Sequence, residues 1–468
     1  MSTLSPHPDR LLPADPGERR IARRLYAEVA DAPILSPHGH VDASMLFADD
    51  HFTDPSALLI TPDHYVTRLL HSLGVPLDEL GLGGTGSASG RAIWRRLCEH
   101  WDDFLGTPVR YWFETELNEV FGLTEHPSVA TSDALYDQLS AALASDEFRP
   151  RALFDRFGIS VLATTDDPAD DLAAHLALRD DPTFTGRVIP TFRADRYMHI
   201  GESSWIGKLD QLGAAAGIDC GSYGGLLDAL RSRRAFFQAA GGTATDTGVL
   251  DTWCEPLPAA EAERIHRSGR DGSLTASDAD AYRRNMLYQL AAMASEDGLV
   301  MQLHAGVIRN HHRPTFDRFG PDTGHDLPAN GGFTRPLTPI LRDFGTNPTF
   351  RIVLFTVDET TFSREIAPLA GFYPSVFAGA PWWFLDTPAG IARYRDAITD
   401  SAGFTKTSGF IDDTRAFCSI PARHDMSRRA DARYLASLVA THQLAEEDAA
   451  SVARRLVSEI PRDTFRLG

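Results

Sequence analysis

Short apolar runs punctuate this chain, and nearly every one ends on a polar residue. The first, Ala32 to Leu35, follows a stretch from Gly17 to Ala30 in which Ile21, Leu25 and Val29 share one helical face. It leads directly into Pro37-His38-Gly39-His40. Strand-like runs are then scarce until about residue 157, while Tyr65, Leu69, Leu70 and Leu73, and later Ile93, Trp94, Leu97 and Trp101, recur helically. Beyond residue 158 the runs return. Ile159–Thr164 ends in Thr165-Asp166-Asp167-Pro168, Arg187–Phe192 in Arg193-Ala194-Asp195, and Gly242–Thr245 in Asp246-Thr247-Gly248. Leu299–Leu303 ends in His304-Ala305-Gly306, and Phe350–Phe355 in Thr356-Val357-Asp358. Ser375–Gly379 ends in Ala380-Pro381-Trp382-Trp383, and Gly409–Ile411 in Asp412-Asp413-Thr414-Arg415.

Strands alternating with helical stretches predict parallel β/α units, and eight of them close a barrel. The expected architecture is therefore an α/β, (β/α)8 TIM-type barrel with a helical insertion after strand one. Residues 1–40 supply a leading helix and the first strand, 41–157 the insertion over the barrel mouth, and 158–468 the remaining units. Polar residues at strand C-termini mark the barrel rim that carries active sites. A single loop or helix cap explains one or two such cases, not most of eight.

Composition narrows the chemistry. The 468 residues carry 45 basic and 64 acidic side chains, a formal charge of −19, which disfavours nucleic acid or an anionic membrane as partner. Four scattered cysteines, Cys98, Cys220, Cys254 and Cys418, without C-x-x-C spacing, read as free thiols of a cytoplasmic protein. No apolar stretch approaches the roughly 20 residues of a membrane span. Gly81-Leu82-Gly83-Gly84-Thr85-Gly86 lacks the Gly-Lys-Ser/Thr ending of a phosphate loop and reads as a flexible connection.

The rim residues suggest a metal site. On a strand, His38 and His40 project to one side. With His304 and Asp413 they make a plausible set for zinc or a similar divalent ion, one position remaining open to substrate or water. His311 and His312 read as solvated loop residues. Asp166-Asp167-Pro168 either takes part in chemistry or only shapes the rim.

These motifs, in this order, resemble the uronate isomerases (glucuronate/galacturonate isomerase) of the amidohydrolase superfamily. The resemblance rests on His38-Gly39-His40, Asp63-His64-Tyr65 with Arg68, Thr165-Asp166-Asp167-Pro168 and Phe192-Arg193-Ala194-Asp195. It continues through Met301 to Asn310, Gly320-Pro321-Asp322-Thr323-Gly324, Trp382-Trp383-Phe384 and Asp413-Thr414-Arg415.

The resemblance implies an aldose–ketose isomerase moving a proton between C2 and C1 of a hexuronate through a cis-enediol, with one divalent metal and no nucleotide or redox cofactor. It implies His38, His40 and Asp413 as metal ligands, Asp413 also as the ring-opening base, and Tyr65 as the proton shuttle. Arg193 and Arg415 would contact substrate, Trp382 or Trp383 would wall the sugar while one of the pair packs in the core, and Arg309 would support them. His304 is implied as a further ligand or as a hydrogen-bond donor to substrate. Two departures stand out: Thr245-Asp246-Thr247-Gly248 where the family usually has Ser-Asp-His-Gly, and Thr356-Val357-Asp358-Glu359 where an Asn-Pro form is usual. Another metal-dependent amidohydrolase acting on a small carboxylate, and an inactive sugar-acid-binding barrel, are the competing readings. Self-association is left open by the sequence.

Overall fold

The computed structural model describes residues 3–83, 88–329 and 331–468, so Gly84-Thr85-Gly86 of the glycine-rich stretch lie outside the described residues. Among the described residues there are ten strands: β1 (Ile34–Ser36), β2 (Ile159–Ala163), β3 (Arg187–Ile189), β4 (Phe192–Arg193), β5 (Ala244–Val249), β6 (Val300–Ala305), β7 (Val307–Ile308), β8 (Leu327–Pro328), β9 (Ile352–Thr356) and β10 (Val376–Ala378). Two parallel sheets, β1-β2-β3 and β10-β9-β6-β5-β4, form the wall of a (β/α)8 barrel. A bridge between Asp166 and Phe192 joins them on one side, and one between Ala378 and Thr407 continues the wall past β10. β6 and β9 are buried along their whole length, as expected of parallel strands covered on both faces. β7 and β8 form a separate antiparallel hairpin at the rim.

The predicted third strand is split into β3 and β4 around Pro190, which has no N–H for a ladder. The fourth runs further than expected, to Val249, so Asp246 and Thr247 are inside it rather than past its end. The eighth expectation needs correction. Gly409–Ile411 is not a strand: after the Ser408 N–H donates to the Ala378 carbonyl, Gly409 turns at φ +70° against Leu456 and Pro461. The segment still closes the barrel next to β1, where the His40 N–H donates to the Thr414 carbonyl at 3.0 Å.

Among the described residues, 41–157 carry helices and no strand. The leading helix, Pro16–Ala27, starts on an Asp15 cap with proline at its first position. It buries Ala22 and Leu25 against Ala432, Leu435 and Ala436 of the long helix Ile420–Ala440. That long helix also grips the insertion. Its Arg423, 1% exposed, stacks 3.7 Å over the Trp112 ring of the helix Pro108–Thr115.

Gly379 marks where wall packing meets the rim. A Cβ there would overlap the fully buried Phe355 ring, which itself stacks 4.2 Å from His304. Gly207, exposed on the helix Trp205–Ala216, has nothing within 4 Å of the same position. Gly379→Ala should therefore cost about 1–3 kcal/mol by overpacking. Gly207→Ala should gain about 0.5–1 kcal/mol of helix propensity. Urea midpoints measure both; equal effects at the two positions would refute this packing account.

Candidate active site

All ten side chains singled out from the sequence line one cavity of about 270 Å³: His38, His40, Tyr65, Arg193, His304, Arg309, Trp382, Trp383, Asp413 and Arg415. They arrive from β4 and β6, from the segments just after β1, β7 and β10, from the insertion and from the closing segment. Asp63 explains how a residue of the insertion reaches the mouth. It caps the helix His64–Ser72, its carboxylate accepting from the Tyr65 N–H at 2.9 Å, so His64 and Tyr65 occupy the first turn and face the barrel.

His38 and His40 follow β1 rather than lying in it, and their Nε2 atoms stand 3.2 and 3.0 Å from the same Asp413 oxygen, Oδ1. That buried oxygen makes no hydrogen bond. Two imidazole nitrogens and a carboxylate oxygen converging on one point without hydrogen-bond geometry suit a divalent cation. The donor set, nitrogen and oxygen, fits zinc and its neighbours. His38 also belongs to a second close group with Asp246 and His304. Electrostatics hold the carboxylate ionised: burial alone would raise Asp413, yet His38 and His40 keep it well below the usual carboxylate range. Burial lowers His40 to about 4. Burial also works to lower His38, but Asp413 and Asp246 outweigh it and its net shift is upward. Asp413 sits at φ +43°, a left-handed backbone that Asp tolerates better than most residues.

His304 meets Asp246 through Nδ1 at 2.6 Å, and its buried Nε2 has no partner. A carboxylate on Nδ1 places the proton there, which leaves the Nε2 lone pair as a ligand or acceptor. Burial outweighs the upward pull of Asp246 and lowers the His304 pKa, which favours the neutral ring. Asp246 in turn pairs with Arg193 at 3.1 Å, and Arg193 donates from Nε to Asp195 at 2.8 Å. Each rim guanidinium has such a partner: Arg309 pairs with Asp326 at 2.8 Å and Arg415 with Asp322 at 3.1 Å. Asp326 also accepts from the Asn310 N–H, which fixes the turn after β7.

Both tryptophans reach the cavity and both also pack in the core, at 5% and 4% exposure, where the sequence assigned wall and core to different members of the pair. The reason is local: Trp383 takes φ +48° and turns the chain back toward the mouth, beneath the Arg309 guanidinium at 5.2 Å. Asp166 ties neighbouring strand ends together at the rim. Its carboxylate accepts from the Thr164 hydroxyl and the Thr191 N–H, and it does not line the cavity. His311 and His312 are exposed. Thr247 is buried in β5 beside Asp246 and does not line the cavity either, so the family's usual imidazole is replaced away from this surface.

Sequence reasoning did not assign His64, Asp246, Asn310, Pro321, Asp322 or Asp326, which also line the cavity. Asp246 carries a usable signal, an aspartate closing a short run with β-branched residues. Asp322 and Asp326 lie in an irregular segment with no period, and only their partners reveal them.

Known proteins are similar to this chain in sequence and fold. The family model described as glucuronate isomerase matches residues 17–463. A uronate isomerase of Corynebacterium efficiens is 49% identical over 462 residues, 98% of either chain. The crystal structure of a glucuronate isomerase from Caulobacter crescentus superposes with a TM-score of 0.97 at 42% identity, covering 99% of this chain and 98% of that one. A uronate isomerase from Thermotoga maritima gives a TM-score of 0.92 at 28% identity, covering 98% and 99%. With its barrel, its rim constellation and a match over nearly its whole length, the chain belongs to the glucuronate isomerase family.

Proposed function

We propose that this enzyme interconverts D-glucuronate and D-fructuronate, or D-galacturonate and D-tagaturonate, in hexuronate catabolism in the cytoplasm. The observation that carries the reading is the single cavity where two imidazoles and a carboxylate converge beside a buried phenol and three guanidinium groups. The reaction only relocates a proton, so it asks for ring opening, proton transfer and a hold on the oxyanion. It needs no redox cofactor.

His38, His40 and Asp413 would hold a divalent ion, zinc by their chemistry, which when bound supplies Lewis-acid polarisation of substrate oxygens. Asp413, kept ionised, is suited to take the anomeric hydroxyl proton as the ring opens. Tyr65 is the group suited to carry the proton between C2 and C1, its phenol lying on the cavity wall. Arg193, Arg309 and Arg415 offer planar forks to the uronate carboxylate, local positive charge in a chain of −19. Trp382 and Trp383 give the sugar an apolar face. His304 is best placed as an acceptor for a substrate hydroxyl or as a further ligand, its Nδ1 being occupied by Asp246. The helical insertion, through Tyr65, closes the mouth. A hydrolase reading gains nothing specific from the geometry.

Two predictions test this. Proton NMR of D-glucuronate with the enzyme should show a ketose accumulating. Asp413→Asn, which keeps the left-handed backbone, should lower kcat/KM by at least about 10³-fold with the far-UV dichroism unchanged, and Tyr65→Phe should lower kcat by roughly 10²–10⁴-fold. Full activity in either variant would remove that residue from its role.

The second concerns the ion. Zinc retained after dialysis should approach one per chain and be lost in His40→Ala. Affinity should fall as pH drops through the raised His38 value, because a proton there competes with the ion, about tenfold per pH unit. His40, neutral down to about 4, adds no loss above that pH. Retention equal to wild type in His40→Ala would exclude this ligand set.

A further inference from the structure

Behind Tyr65 is a buried charge chain that the reaction as described leaves unused. The phenol donates to Asp386 Oδ2 at 2.9 Å. The same oxygen accepts from Arg423 at 3.3 Å, and Arg423 reaches Asp63 at 3.4 Å. Asp386 is 5% exposed and Arg423 1% exposed. Asp386 Oδ1 is buried without a partner. Asp386 does not line the cavity; Tyr65 stands between it and the space where a sugar fits.

A phenol that accepts a proton from carbon must first lose its own. Only a group in contact with its oxygen can take that proton without water entering the site. We propose that Asp386, held in place by Arg423, is the positioning residue that receives the Tyr65 phenolic proton during C2 deprotonation and returns it afterwards. The inference rests on Tyr65 being the proton shuttle.

The step balances. The C2–H bond breaks, its electron pair becomes the C1=C2 double bond, and the carbonyl pair moves onto O1. The C2 proton passes to the Tyr65 oxygen while the phenolic proton passes to Asp386 Oδ2. In the second half Tyr65 gives its proton to C1, the hydroxyl proton moves from O2 to O1, and the C2=O2 bond forms. Asp386 then returns its proton to Tyr65. Nothing is oxidised or reduced overall.

The surroundings agree. Burial raises Asp386 to about 7, opposed by Arg423, which makes it a better proton acceptor near neutrality than an ordinary carboxylate. Arg423, fully buried and stacked on Trp112, is fixed and remains cationic. It therefore holds the carboxylate while the proton comes and goes.

The test is a double-mutant cycle with kcat and KM measured on D-glucuronate for Asp386→Asn, Tyr65→Phe, the double variant and Asp386→Glu. Asp386→Asn, nearly isosteric, should lower kcat about 10–100-fold with KM within about threefold. In the Tyr65→Phe background the same change should alter kcat less than about threefold, because the function lost is already absent. Asp386→Glu should recover part of kcat, and serves if the Asn variant does not fold. An equal loss from Asp386→Asn in both backgrounds, or no loss in either, overturns the inference. So does an Asp386→Glu variant no faster than Asp386→Asn, or fully active despite its displaced carboxylate. Full activity in Tyr65→Phe would instead sink the shuttle assignment, so the two failures are distinguishable.

Discussion

Everything at the rim is arranged about one buried anion. The Asp413 carboxylate, near the end of the barrel wall, meets two imidazoles from its beginning, 3.0 and 3.2 Å away. An ionised carboxylate away from water is costly unless compensated by partners of opposite charge or by a cation. The contact therefore stabilises closure of the barrel as well as preparing its chemistry. His40 is joined to the closing segment a second time, through its N–H on the Thr414 carbonyl.

Around that anion the protein repeats one device, a guanidinium held by one or more carboxylates. Arg193 has Asp195 and Asp246, Arg309 has Asp326, Arg415 has Asp322, and Arg423 has Asp63 and Asp386. A planar fork with some donors occupied is pre-oriented for the oxygens it meets with the rest. Loops so pinned hold a constellation more steadily than loops tied only by their backbone.

Much of this was legible in the sequence for physical reasons. Parallel strands buried on both faces read as continuous apolar runs, so β2, β6, β9 and β10 stood out, and the polar residue after each run marked the rim. Pro190 and Gly409 blurred two walls, one by removing a donor and the other by turning the chain. Tyr65 alone would have passed for a packing residue; Asp63 and His64 beside it, as part of a family motif, drew attention to it. Asp326 and Asp386 could not be read, because their meaning lies in partners 17 and 321 positions away. Trp383 was half read: its type suggested packing, and only its left-handed backbone turns it to the mouth.

Arg423 also ties the insertion to the barrel. Lifting the insertion from the barrel would strip a buried cation of Trp112 and Asp63 and leave it Asp386 alone, a loss of several kcal/mol. At the mouth Arg415 of the closing segment meets Asp322, side chains 37% and 41% exposed, a pair worth at most about 1 kcal/mol. The two ties differ accordingly: a buried cation anchors the insertion from behind, while Arg415 is held by a carboxylate that solvent already reaches.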